Sequence, residues 1–252
     1  MGRDNKNLRT PGTRHDQALR EIAVSPGYLD FADGSCLITW GRTRIICAAT
    51  VSEQVPPFRA ASGGGWVTGE YAMLPGATQP RSDRESLKGR VGGRTLEIQR
   101  LIGRSLRAVV DLAALGPRTV TLDCDVIQAD GGTRTASITG AFVALCLALE
   151  GLRRRGAITD IPIRDQVAAV SVGLVGQRLL LDLDYAEDSQ AHVDANFVGT
   201  GQGELVEVQL TGEGGPFPAA RLPQMLELAL SGIRELTRLQ SEVLAPWLPL
   251  SW

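Results

Sequence analysis

Apolar and polar residues alternate with a period of two across 120–126, where Val120, Leu122, Cys124 and Val126 are separated by Thr121, Asp123 and Asp125. That is the pattern of a half-buried strand. The segments SCLITW (35–40) and RIICAATV (44–51) predict a strand pair joined at Gly41-Arg42-Thr43, and WVTGEY follows the glycines 63–65 as a short strand. The spacing then turns helical: Ile98, Leu101, Ile102, Leu106, Val109 and Val110 recur every three or four residues. A second helix is predicted over about 135–154, carrying Ile138, Phe142, Leu145 and Leu149. A third is predicted over roughly 219–244, with Leu222, Leu226, Ala229, Ile233 and Leu236 on one face. Between them, VAAVSVGLV and RLLLDLDY read as a hairpin at Gly176, and strands at 193–199 and 204–210 flank TGQG. Gly199, Gly201 and Gly203 spell GxGxG, but a strand follows and not a helix, so a hairpin turn is expected there and not a dinucleotide loop.

The order of strands, helix, strand, helix, strands, helix predicts an α/β (α+β) fold with mixed sheets. No linker forces a boundary, so 1–252 is read as a single domain. Residues 1–25 read as a loosely ordered basic lead-in to that domain, loosest over 1–13, and 76–92 as a polar, basic, mobile segment. The tail at 245–252 is apolar and either covers its own surface or packs on a neighbour.

Composition narrows the class. Hydrophobic residues make up 43% and charged residues 21% of 252, ordinary values for a soluble globular chain. No apolar run approaches the roughly 18 residues of a membrane helix, and the first residues lack the apolar core of a signal peptide. Cys36, Cys47, Cys124 and Cys146 each lie in an apolar run without a CxxC pair. They read as reduced core residues of a cytoplasmic protein with no membrane partner. The net charge of −2 means that any polyanion must be held by a local patch. One candidate runs through Arg81, Arg84, Lys88, Arg90, Arg94, Arg100, Arg104 and Arg107. Only Lys6 and Lys88 among the 26 basic residues are lysine, and arginine suits phosphate better.

Two segments carry candidate chemistry. After the 120–126 strand, Gly131 and Gly132 allow a tight turn, and Thr133, Arg134 and Thr135 open a helix. Free N–H groups, a hydroxyl and a guanidinium at a helix start suit phosphate; a helix capped by Thr133 is the equal alternative. The second segment is LLLDLDYAEDSQAHVDAN (179–196). On a strand, Asp182 and Asp184 would face one side and Leu181 and Leu183 the other, with Glu187 and Asp188 in the following turn and Asp194 beyond. Such oxygens suit Mg²⁺ or Mn²⁺, although a solvated acidic strand end has the same composition. With only His15 and His192, a histidine zinc site or a Ser-His-Asp triad is not expected. An anion site, a carboxylate site and a basic loop together point to phosphoryl transfer on a nucleotide or charged polymer.

These residues resemble ribonuclease PH, a family of phosphate-dependent tRNA 3′-end exonucleases. The strings are GWVTGEYAMLP (65–75), GGRTLEIQRLIGRSLRAVVDL (92–112), TVTLDCDVIQADGGTRTASITGAF (119–142), VAAVSVGLV and the acidic segment. The resemblance implies a ribosomal-protein-S5 domain 2-like βαβα fold. It also implies an activity, attack by inorganic phosphate on the 3′-terminal phosphodiester that releases nucleoside 5′-diphosphates, reversible as a nucleotidyltransferase. Phosphate would be held by Arg94, Gly132, Thr133 and Arg134; metal by Asp182 and Asp188, with Asp184 beside them; RNA by Arg81, Arg84 and Arg90. The implied partners are tRNA precursors and other RNA 3′ ends, and copies of this chain in a homo-hexamer, a trimer of dimers. Gly76 stands where the family has an arginine in MLPRAT, and Leu210 replaces the glycine of VEVQGT. A non-catalytic RNA-binding ring subunit and a hydrolytic metal nuclease are the alternatives.

Overall fold

The computed structural model of the chain describes Arg9 and residues 14–248. Strands β1 (Ile22–Pro26), β2 (Gly34–Trp40) and β3 (Thr43–Ser52) form an antiparallel meander. Strand β4 (Trp66–Met73) leads through helix α1 (Gly93–Val109) to β5 (Thr119–Gln128), which pairs parallel to β4 and antiparallel to β3. A parallel pair needs such a crossover, and α1 supplies it. The resulting sheet has the order β1-β2-β3-β5-β4. Helix α2 (Thr133–Arg154) then leads to a second sheet, built from β6 (Val167–Val175), β7 (Arg178–Leu181), the one-turn helix α3 (Tyr185–Asp188), β8 (Val193–Thr200) and β9 (Leu205–Thr211). Its order is β7-β6-β8-β9, antiparallel throughout, and α4 (Arg221–Leu244) packs on β6 and β8.

Helix α2 lies between β2 and β3 on one side and β6 and α4 on the other. That placement explains why it is apolar around its whole circumference. By length and composition it is apolar enough to cross a membrane, contrary to the sequence expectation, but nearly all of it is buried inside the protein. Strand β6, covered by α2 and α4, is buried at every position and so shows no alternation. One apolar core runs through both sheets, from Ile38 through Phe142 to Phe197 and Ile233. The four cysteines are buried and unpaired.

Three expectations need correction. Residues 14–25 are not a loose lead-in: 22–26 form an edge strand, and Arg14 and Arg20 are tied into the protein by ion pairs. The buried face of α4 runs through Met225, Leu228, Ala229, Ile233 and Leu236, while Leu222 points to solvent. The tail covers its own surface as far as it is described: Leu248 is buried, and Arg154 Nη2 donates to the Trp247 carbonyl at 2.7 Å. The remaining expectations for 1–13 and 249–252 fall outside the described residues, Arg9 excepted.

The turn after β5 decides how the two sheets meet. Gly131 and Gly132 have φ of +76° and +66°, in the left-handed region. A Cβ at Gly131 would lie 2.6 Å from the Asp184 carbonyl carbon and 2.7 Å from the Leu183 oxygen. Backbone therefore packs on backbone, and the turn is pressed against the β7–α3 connection. Replacing Gly131 with alanine is expected to cost more than about 2 kcal/mol, because strain and overlap add. Urea unfolding checks this, and an unchanged midpoint would refute the close-packed joint.

Candidate active site

A cleft of about 570 Å³ opens between the sheets, lined by Arg94, Gly131, Gly132, Thr133, Arg134, Asp188, Asp194, Asn196 and Glu213, among others. One wall is the start of α2. Its N-cap is Gly132, which has no side chain to offer, so the capped-helix alternative fails. Thr133 is instead the first helical residue, and its Oγ1 accepts from the Tyr71 hydroxyl at 3.0 Å. The first intrahelical bond is made by Ala136 N–H to the Gly132 carbonyl. The N–H groups of Thr133, Arg134 and Thr135 are thus left toward the positive end of the helix dipole. Arg134 Nη1 donates to Gln209 Oε1 of β9 at 2.9 Å. Arg94, the second residue of α1, is exposed on the cleft wall, and its charge acts on Tyr71, Asp188 and Asp194. Burial pushes the Tyr71 hydroxyl up.

The opposite wall corrects the acidic reading. Strand β7 ends at Leu181, so Asp182 and Asp184 do not share a strand face. Asp182 has φ +58°, and Asp184 caps α3, its Oδ1 accepting from Glu187 N–H at 2.9 Å while Glu187 Oε2 accepts from Asp184 N–H at 3.2 Å. This reciprocal arrangement is a capping box. Asp182 is 1% exposed and fully engaged. Its Oδ1 accepts from Arg20 Nη2 at 2.6 Å, and its Oδ2 accepts from Arg20 Nε at 3.0 Å, Trp40 Nε1 at 2.8 Å and Arg14 Nη1 at 3.2 Å. Glu187, also buried, is held by Arg14 and by Arg9, whose Nε lies 2.9 Å from Oε1. Burial alone would depress the Arg20 guanidinium, but the charge and hydrogen bonds of Asp182 leave it above its usual value.

Of Asp182, Asp184 and Asp188, only Asp188 lines the cleft. It is joined there by Asp194 and Asn196, two apart on β8 and so on one face. The same-face rule holds, but on β8. Burial, then the charge of Asp188, pushes the Asp194 carboxyl up to about 6, against the opposing pull of Arg134 and Arg94. Burial raises Asp188 as well, against Arg94 and Arg134. Among the described residues no three acidic, histidine or cysteine side chains form a metal cluster. Two carboxylates that resist ionisation, beside Asn196, fit a hard cation that keeps waters and shares phosphate oxygens.

The basic segment divides by role. Arg81, Arg84 and Arg90 are exposed between β4 and α1. Arg104 pairs with Glu207, and the Arg107 guanidinium stacks 4.1 Å from the Trp66 ring centroid. Sequence reasoning missed Tyr71, Gln209, Arg14 and Arg20. Asn196 was within its reach, because Asp194 and Asn196 alternate with apolar neighbours in VDANF.

Sequence models of the 3′ exoribonuclease family match the chain, domain 1 over residues 18–149 and domain 2 over 165–232. Ribonuclease PH of Saccharopolyspora erythraea is 60% identical over 233 residues, covering 92% of this chain and 93% of that protein. Ribonuclease PH of Syntrophomonas wolfei is 53% identical over 237 residues, covering 94% and 99%. Among solved structures, rice (Oryza sativa) Rrp46 superposes with a TM-score of 0.75 at 17% identity, over 93% of this chain and all of that one. A chain of the Archaeoglobus fulgidus exosome with RNA bound to the active site gives 0.76 at 21%, covering 92% of each. These two likenesses establish the ribosomal-protein-S5 domain 2-like fold.

Two substitutions separate structural from cleft carboxylates in chelator-treated protein. Asp182→Asn leaves buried arginines short of a counter-charge and is expected to cost about 3 kcal/mol. Asp194 behaves oppositely. A carboxyl raised by the fold favours folding below its ordinary value of 3.8 and loses that advantage as pH rises through about 6. Asp194→Asn is therefore expected to be about 2 kcal/mol more stable than the parent at pH 8 and equal to it at pH 3.5. Denaturant titrations at both pH values read this, and a loss of stability at pH 8 would exclude the repelling pair.

Proposed function

Because the chain belongs to the ribonuclease PH family of 3′ exoribonucleases, we propose that this cleft performs phosphorolysis, with Arg94 and Arg134 on the attacking phosphate. The activity is that of a phosphorolytic 3′-to-5′ exoribonuclease, reversible as a nucleotidyltransferase. The observation that carries the residue assignment is the opposition, across one cleft, of an uncapped helix start with two arginines to two carboxylates that resist ionisation. A hydrolase has no use for the second anion pocket.

The chain's groups suit the steps. The N–H groups of Gly132, Thr133 and Arg134 and the two guanidinium ions would orient inorganic phosphate, concentrating a nucleophile that is already an anion. No general base is then required. An oxygen of hydrogen phosphate bonds to the terminal phosphorus, the bond to the 3′-oxygen breaks, and the proton that hydrogen phosphate carried ends on that oxygen, which leaves as the 3′-hydroxyl of an RNA one nucleotide shorter. The product carries the incoming phosphate as a nucleoside 5′-diphosphate. Asp188 and Asp194 would hold Mg²⁺, with Mn²⁺ as a substitute, and Asp184 and Asp182 would brace that wall. Bound there, the ion supplies positive charge against the scissile phosphate and the leaving oxygen.

The substrate we propose is a tRNA precursor or other RNA 3′ end, its backbone led to the cleft by Arg81, Arg84 and Arg90. We also propose a homo-hexamer, a trimer of dimers, which would gather these basic segments around the entrance and overcome a net charge of −2. Four buried free thiols suit the reducing cytoplasm. A non-catalytic ring subunit is disfavoured because both arginines and both cleft carboxylates are present.

The test is product analysis on a tRNA with extra 3′ nucleotides, with Mg²⁺, in the presence and absence of inorganic phosphate. Diphosphates formed only with phosphate are expected; monophosphates without it would mean hydrolysis. Arg94→Ala and Arg134→Ala are each expected to raise KM for phosphate at least about tenfold, the effect of losing one charge-assisted contact. An unchanged phosphate dependence would sink the assignment. Asp188→Asn is expected to abolish metal-dependent turnover while RNA still binds, and full activity would remove Asp188 from the metal site.

A further inference from the structure

We infer that Gln209 is a positioning residue that aims Arg134 into the cleft without neutralising it, by standing between that guanidinium and the carboxylates of Glu97 and Glu207. The inference rests on the phosphate role proposed above for Arg134. Gln209 sits on β9 directly opposite Asn196 of β8, so strand pairing fixes its place beside the cleft. Its Oε1 accepts from Arg134 Nη1 at 2.9 Å. Its Nε2 donates to Glu97 Oε1 at 3.2 Å and to Glu207 Oε1 at 3.0 Å. The second oxygen of Glu207 is occupied by Arg104 Nη1 at 2.5 Å. Glu97 Oε1 itself stands 4.0 Å from Arg134 Nη1, a long ion pair at the outer limit of such contacts and too far for a hydrogen bond.

An amide is the neutral side chain with a carbonyl at one edge and two N–H groups at the other. Here each edge meets its complement, the guanidinium on the oxygen side and two carboxylates on the nitrogen side. Arg134 is thereby oriented by a neutral acceptor, which leaves Glu97 only a long ion pair with it and keeps the guanidinium available to an incoming anion. Glutamate at this position would pair with Arg134 and cancel that charge, while repelling Glu97 and Glu207. Leucine would free Glu97 to close the last distance to Arg134. Glu97 also lies three residues after Arg94, so the same amide ties both arginine-bearing helices to the second sheet.

The test compares the wild type with Gln209→Leu, Gln209→Glu and the double variant Gln209→Leu/Glu97→Gln. Rates are measured against phosphate and RNA separately, with phosphate binding to the enzyme alone read by calorimetry. Gln209→Leu is expected to raise KM for phosphate about tenfold with KM for RNA unchanged, since only ground-state anion binding is lost. Gln209→Glu is expected to raise it further. Adding Glu97→Gln to the leucine variant is expected to recover most of the loss, because the competing carboxylate is gone. A phosphate KM within about twofold of wild type in both single variants would overturn the inference. So would equal rises in both KM values, or a double variant no better than Gln209→Leu. A wild type indifferent to phosphate would overturn the phosphorolytic reading itself and this inference with it.

Discussion

The buried ion pair between Arg20 and Asp182 holds the two halves of the site together. Arg20 grips both oxygens of Asp182 with Nε and Nη2, and its Nη1 donates to the Asp130 carbonyl at 2.7 Å. One guanidinium thus joins the end of β5, where the glycine turn begins, to the end of β7, where the acidic turn begins. A charge this deep in the protein is stable only with its partner present, and Asp182 adopts a left-handed backbone to meet it. Trp40 and Arg14 complete the oxygens' hydrogen bonds. The Asp182 carboxylate is therefore fully occupied by this joint, while Asp188 and Asp194 line the cleft.

This division of labour gives the cleft its electrostatics. On one wall stand the guanidinium groups of Arg94 and Arg134 and the N–H groups of a helix start, which together present positive potential. On the other, Asp188 and Asp194 hold their protons longer than free carboxyls. The pH response of the site thus belongs to the acidic wall. The arginines opposite favour the ionised carboxylates, and the Mg²⁺ proposed for this wall would do the same.

Most of the fold was legible because its signals are local. Alternation located β5, two apolar segments joined at Gly41-Arg42-Thr43 located β2 and β3, helical spacing located α1 and α2, and GxGxG marked the β8–β9 hairpin. The turn and helix start at one cleft wall were legible for the same reason: glycine turn, helix start and arginine lie within four consecutive residues, 131–134. The acidic side was misread because the decisive partners are remote. Asp182 meets Arg20 across 162 residues and Trp40 across 142, and nothing in LLLDLDY announces that a strand must end at Leu181 to let that happen. Gln209 was invisible for a related reason, since its role depends on partners from α1, α2 and β9 at once.

The burial of α2 sets which parts of this protein can vary. The proposed anion site is the tip of a helix clamped between two sheets, whereas the arginines proposed to lead RNA inward sit in an exposed segment between β4 and α1. Gly76, in that same region, has open space where a side chain would go. A substitution on that exposed segment would therefore alter the proposed contacts with a polymer at little cost to the core, whereas the helix start proposed to present the attacking phosphate cannot move without it.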